Sequence, residues 1–139
     1  MRKVISDWAN QKIRTPFEWG KNDCRWILAE FLQLYAQWNM PAEIRALKGT
    51  YHNAIGALRI DRHMPKSVEE CMSECGYKEV QTNHVGEGDI VKVKDVNGFD
   101  VYFPVIYSQV VLVGDEETNK VKLANVYDLN THFTTFRRT

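Results

Sequence analysis

Cys24 is the residue whose type and position most readily suggest chemistry. It follows Asp23 and opens an apolar series, Ile27, Leu28, Phe31, Leu34 and Tyr35. That spacing predicts a helix from Cys24 to about Gln37, with Cys24 at the N-terminal end of its buried face. Asn22 or Asp23 is placed to cap it. A thiol in a first helical turn sits among unpaired amide protons at the positive end of the helix dipole. That setting favours the thiolate over the ordinary thiol, whose pKa is about 8.5, and supplies donors for an oxyanion. Cys24 is therefore expected to react faster than Cys71 and Cys75. The competing reading is a small buried hydrophobe, a common role for a lone cysteine.

A nucleophilic cysteine also needs a base within hydrogen-bonding reach. Of the four histidines, His52 and His63 fall in the middle of the chain, where surface roles are expected. His84 precedes Gly86-Glu87-Gly88-Asp89, and His132 follows the last long apolar segment. Either could fold back toward Cys24, and each is otherwise an ordinary surface histidine. Trp19 is placed to line a groove beside the thiol. Cys71 and Cys75 lie one helical turn apart with no second cysteine pair, so core packing is the expectation and no metal or cofactor is predicted.

The elements that must position these groups divide into a helical part, about 1–80, and a sheet part, about 86–136, within one domain. Val4, Ile5, Trp8 and Ala9 predict a first amphipathic helix ending near Arg14, before Thr15-Pro16. Pro41 to Lys48, Ala54 to Ile60 and Ser67 to Cys75 read as further helices, closed in two cases by Gly49 and Gly76. From Gly86 the pattern changes. Asp89 to Val93, Val101 to Val113 and Lys120 to Val126 are rich in β-branched and aromatic residues, with Asn97-Gly98 and Gly114-Asp115 at turns. The expected fold is α+β, N-terminal helices packed on a C-terminal antiparallel sheet.

The stretch Pro16-Phe17-Glu18-Trp19-Gly20-Lys21-Asn22-Asp23-Cys24 resembles the aromatic–Trp–Gly–x–x–Asp–Cys signature of the papain-like NlpC/P60 cysteine hydrolases. Gly86-Glu87-Gly88-Asp89-Ile90-Val91 is similar to the Gly-Asp turn that opens their sheet. Arg45, Gly49 and Tyr51 resemble an Arg-x-x-x-Gly-x-Tyr motif of small phage and prophage proteins of this type. The resemblance runs from about Phe17 to Gly114. It implies a papain-like fold with Cys24 as nucleophile and Asp23 beside it. It also implies a histidine at the start of the segment Ser108-Gln109-Val110-Val111-Leu112-Val113-Gly114, and a third polar residue near Asn125. Ser108 or Gln109 stands in the histidine's place, and neither is a base near neutral pH. Loss of the base from such a pair costs on the order of 10⁶ in rate.

Eighteen basic residues balance eighteen acidic ones, which gives no electrostatic footprint for nucleic acid. Arg137-Arg138, the one basic cluster, reads as a solvated frayed end. No apolar run approaches the ~20 residues of a membrane span, and the run from Met1 meets Asp7 before a signal-peptide core develops. Three cysteines fit a reducing compartment. The resemblance alone implies a phage or prophage setting, and with Ser108 or Gln109 in the histidine's place the expected role is structural or in assembly, in the virion tail or in the host cytoplasm during assembly. The partners would be other phage structural proteins. The alternative is an active peptidase or amidase that cleaves peptidoglycan stem peptides through Cys24.

Overall fold

Helix α2, Cys24–Tyr35, is the axis of the molecule, and its apolar stripe explains why. Ile27, Leu28, Phe31 and Leu32 are all buried, joined by Ile5, Trp8 and Ala9 of α1, Arg2–Ile13. Each of the isoleucine, leucine and phenylalanine side chains contributes about 1.5–3 kcal/mol relative to an exposed one. Phe31 stacks on Tyr35 with ring centroids 5.2 Å apart, and Ile90, Ile106, Leu112 and Phe136 complete this core from the sheet side. The structure is a computed structural model that describes residues 2–82, 84–95, 97–129 and 132–139. Met1, which opens the run read for an export signal, lies outside them.

Three short helices follow. They are α3, Ala42–Arg45, α4, Ala54–Asp61, and α5, Val68–Glu74. Asn53 caps α4 through the amide of Gly56, and Ser67 and Glu70 form a reciprocal capping box on α5. Pro41 is the residue before α3 and not its first helical position.

The sheet has six strands, β1 Tyr77–Val80, β2 Ile90–Lys94, β3 Asp100–Tyr107, β4 Val110–Asp115, β5 Lys120–Asn125 and β6 Thr134–Arg138, with a short helix α6, Val126–Leu129, before the last. Their order is β1-β6-β2-β3-β4-β5, and every pairing is antiparallel. The expected α+β architecture with an antiparallel sheet is therefore present, with three differences. The sheet begins at Tyr77, before the predicted start. The segment from Val101 to Val113 is two strands, folded back at Ser108-Gln109, where Gln109 takes a φ of 64°. The chain end is a strand inside the sheet, so Arg137-Arg138 is not a frayed terminus.

Arg137 donates from Nε and Nη2 to the two oxygens of buried Asp89 at 3.0 and 2.8 Å. Arg138 donates to the carbonyl of Cys75 at 3.0 Å. Asp89 also accepts from the amide of Gly86, so the Gly-Asp turn is the socket that fixes β6 between β1 and β2. No helix among the described residues is long and apolar enough to cross a membrane.

Candidate functional site around Cys24

The loop before α2 is held in place by its own residues. Asn22 donates from Nδ2 to the carbonyls of Thr15 and Pro16, at 3.1 and 3.0 Å, and its amide closes a tight turn onto Glu18. Gly20 has a φ of 84°, and a Cβ there would run into the carbonyl oxygen of Tyr51. The carbonyl of Gly20 accepts from the amide of Gly49 at 2.8 Å. Phe17 is buried and meets Trp19 edge to face at 5.1 Å. The Trp19 indole is half-buried and packs against the cluster of Trp26, Met40, Ile44 and Tyr51.

Asp23 caps α2, as the sequence suggested, and does more. Its Oδ1 accepts from the amide of Trp26 at 3.1 Å, while Oδ2 accepts from the amide of Gly20 at 2.9 Å and the hydroxyl of Tyr51 at 2.6 Å. The residue is buried, so these three donors replace the water a carboxylate needs. Arg25 donates to the Tyr51 oxygen at 3.2 Å, lies over its ring, and pairs with Asp61 at the end of α4. Burial and the neighbouring Asp23 raise the Tyr51 phenol well above its ordinary range. Gly49 and Tyr51 of the Arg-x-x-x-Gly-x-Tyr motif thus meet the Asp-Cys loop in one contact, whereas its Arg45 donates to the carbonyl of Met40. Tyr51 and Arg25 had no assigned role in the sequence, and only the shared neighbourhood of both motifs in the chain hinted at one.

Cys24 is half-buried as a residue, but its sulfur faces the protein interior. The thiol donates to the carbonyl of Gly114 at 3.6 Å and packs against the cluster of Val91, Val93, Phe103, Val111 and Val113. A Cβ on Gly114 would press on the Phe17 ring at 3.0 Å and on the sulfur at 3.4 Å, so the missing side chain is what admits both. Burial pushes the Cys24 thiol up to about 12. The hydrogen bond to Gly114 and the residue's own amide pull it down, but Asp23 and Asp115 add to the rise. The predicted thiolate at a helix N-terminus is therefore reversed: desolvation outweighs the dipole. At pH 7 roughly one thiol in 10⁵ is ionised at such a value.

The other sequence candidates fall elsewhere. Gln109 lies in the turn just before β4, whereas Gly114 is near its end; five residues of extended chain span roughly 16 Å. The Gln109 amide donates to the carbonyl of Val85 at 3.1 Å, and its carbonyl accepts from Val126 at 2.8 Å. Asn125 pairs with Val110 at the same end of the strand and accepts the amide of Tyr127. His84, next to Val85, is exposed, with its carbonyl taken by Arg137. His132 is exposed between α6 and β6. The fold gathers Asp23, Trp19 and Cys24 at one end of β4, and Gln109, Asn125 and the chain next to His84 at the other. Ser108 is exposed in the β3–β4 turn, so the position matched to the family's histidine is remote from the thiol. Cys71 and Cys75 are buried in the helical core, and no metal-binding cluster of three ligands occurs among the described residues.

In comparisons with known proteins, a family model described as a domain of unknown function, DUF6950, matches residues 1–131. No curated protein and no solved structure matches the chain.

Proposed function

We propose that this chain, which belongs to the DUF6950 family of domains of unknown function, is a papain-like domain of NlpC/P60 type that keeps the loop and helix around its cysteine without the chemistry. Its role in this reading is structural, as an assembly component of a phage or prophage particle, in the tail. One observation carries the non-catalytic part. The Cys24 thiol is spent on the carbonyl of Gly114, among valines and phenylalanines, with its ionisation pushed up to about 12. A general acid for the leaving amine is equally needed, and Ser108 and Gln109, which resemble the family's base position, lie in the turn that precedes β4, at the end of the strand away from Gly114. The phage setting rests on the resemblance of the motifs between Phe17 and Gly114. The partners are other structural proteins of the particle.

The test uses the purified chain with peptidoglycan and with isolated stem peptides. Product release should not exceed that of Cys24→Ala, and particles assembled with Cys24→Ala should be normal in number and protein content. Hydrolysis that disappears in Cys24→Ala would overturn the proposal and make the chain a peptidase of stem peptides. Particles that never contain the protein would overturn the assembly role.

A further inference from the structure

A second concave site lies away from Cys24, between α4 and the loop 50–53, with a cavity of about 420 Å³. Gly56, Arg59 and Ile60 line it from one face of α4, His63 continues that wall from the turn after the helix, and Tyr51 and His52 contribute to the other. The approach of loop to helix depends on Gly56, because a Cβ there would meet the Tyr51 Cβ at 2.8 Å. The volume is within the range of small-molecule sites.

The lining carries an arginine and two imidazoles and no carboxylate. The side chains of Arg59, His52 and His63 make no hydrogen bond or ion pair among the described residues, whereas Asp61, the neighbouring acid on α4, is held by Arg25. Three donors converge on a cavity whose remaining surface is mostly apolar, with Ile55 and Ile60 in its wall. Nothing in the fold of the helical part requires them there: all three are exposed, and none takes part in the Asp23–Tyr51–Arg25 contact.

We propose that this cavity binds a small molecule bearing an anionic group beside an apolar portion. Arg59 takes the anion with a charge-assisted pair, His52 and His63 donate at its margins, and Ile60 and Gly56 contact the apolar part. This site is independent of the reading of Cys24, which it neither needs nor affects.

The probe is 1-anilinonaphthalene-8-sulfonate, one sulfonate on an aromatic body, followed by fluorescence and by backbone amide NMR on the full chain. Binding should saturate at one site, with amide shifts concentrated in 50–63. The uncharged N-phenyl-1-naphthylamine should bind about tenfold more weakly, and Arg59→Ala should weaken the sulfonate by a similar factor. Arg59 is exposed, and an unchanged amide spectrum elsewhere confirms that the variant is folded. The neutral probe tests the charge requirement on the unaltered protein. Shifts spread over other elements, equal affinity for the neutral probe, or no effect of Arg59→Ala in a folded variant would each overturn the proposal.

Discussion

The hydroxyl of Tyr51 donates to Oδ2 of Asp23 at 2.6 Å, joining the insertion of short helices to the residue that caps the cysteine helix. The two residues are separated by 28 positions in the chain. The contact fixes the loop 17–23 from its outer side while Asn22 fixes it from within, so Cys24 is held by two independent sets of hydrogen bonds.

Tyr51→Phe should cost about 1.5–3 kcal/mol, the range for a hydrogen bond to a charged partner. Urea denaturation should show a lower midpoint with an unchanged slope. Asp23→Ala should cost more, because it removes the helix cap and the Gly20 contact as well. The double variant should be less destabilised than the sum by at least ~1 kcal/mol. Strict additivity would contradict a shared contact.

A different clamp holds the last strand. Arg137→Ala leaves buried Asp89 with the Gly86 amide but without its cation. The pair is open to solvent on the arginine side, with that side chain 42% exposed, so the expected loss is about 2–3 kcal/mol, below that of a fully buried pair. Removing residues 134–139 should be far worse, because β6 pairs with both β1 and β2. Circular dichroism and thermal melting of the two variants check the order.

Much of this architecture can be read locally, and what cannot is non-local. Ile27, Leu28 and Phe31 announce α2 because a helix brings residues three and four apart to one face, and Asp23 announces its cap because the bond spans three residues. Thr134-Thr135-Phe136 has strand-favouring residues, but Arg137-Arg138 after it reads as a solvated end. The whole segment becomes a strand because β1 and β2 leave a gap and Asp89 waits for an arginine. Tyr77-Lys78-Glu79-Val80 is hidden for the same reason, with Tyr77 its one fully buried side chain. The turn at Ser108-Gln109 escapes notice because it has no glycine, although Gln109 adopts a left-handed φ. At the site, the cysteine's position in its helix was legible. The direction of its pKa shift was not, since it depends on valines and a glycine that arrive from the sheet.

The thiol also gives the protein a stability that depends on pH. Burial holds the Cys24 thiol at about 12 in the fold, above the roughly 8.5–9 of an unperturbed thiol. The protonated form is favoured in the native state, so its contribution is full below pH 9 and is lost as pH rises toward 12. Cys75, raised by burial to about 11, acts in the same direction. Stability should therefore fall more steeply between pH 9 and pH 11 in the wild type than in Cys24→Ala, compared by urea midpoints at each pH. Parallel profiles would contradict the assigned shift.

The most direct measurement of the central claim, that Cys24 is a packed thiol and not a nucleophile, is its alkylation rate as a function of pH. The folded protein is treated with iodoacetamide and each cysteine is followed by peptide mass spectrometry, with the urea-unfolded chain as reference. At pH 7.5 Cys24 should react roughly 50-fold more slowly than in the unfolded chain, because about a 1000-fold loss of thiolate is partly offset by the greater nucleophilicity of a more basic thiolate. Its rate should keep rising through pH 10 without a plateau. An inflection below pH 8, with Cys24 reacting faster than Cys71 and Cys75, would contradict the account and restore an activated thiolate at the head of α2.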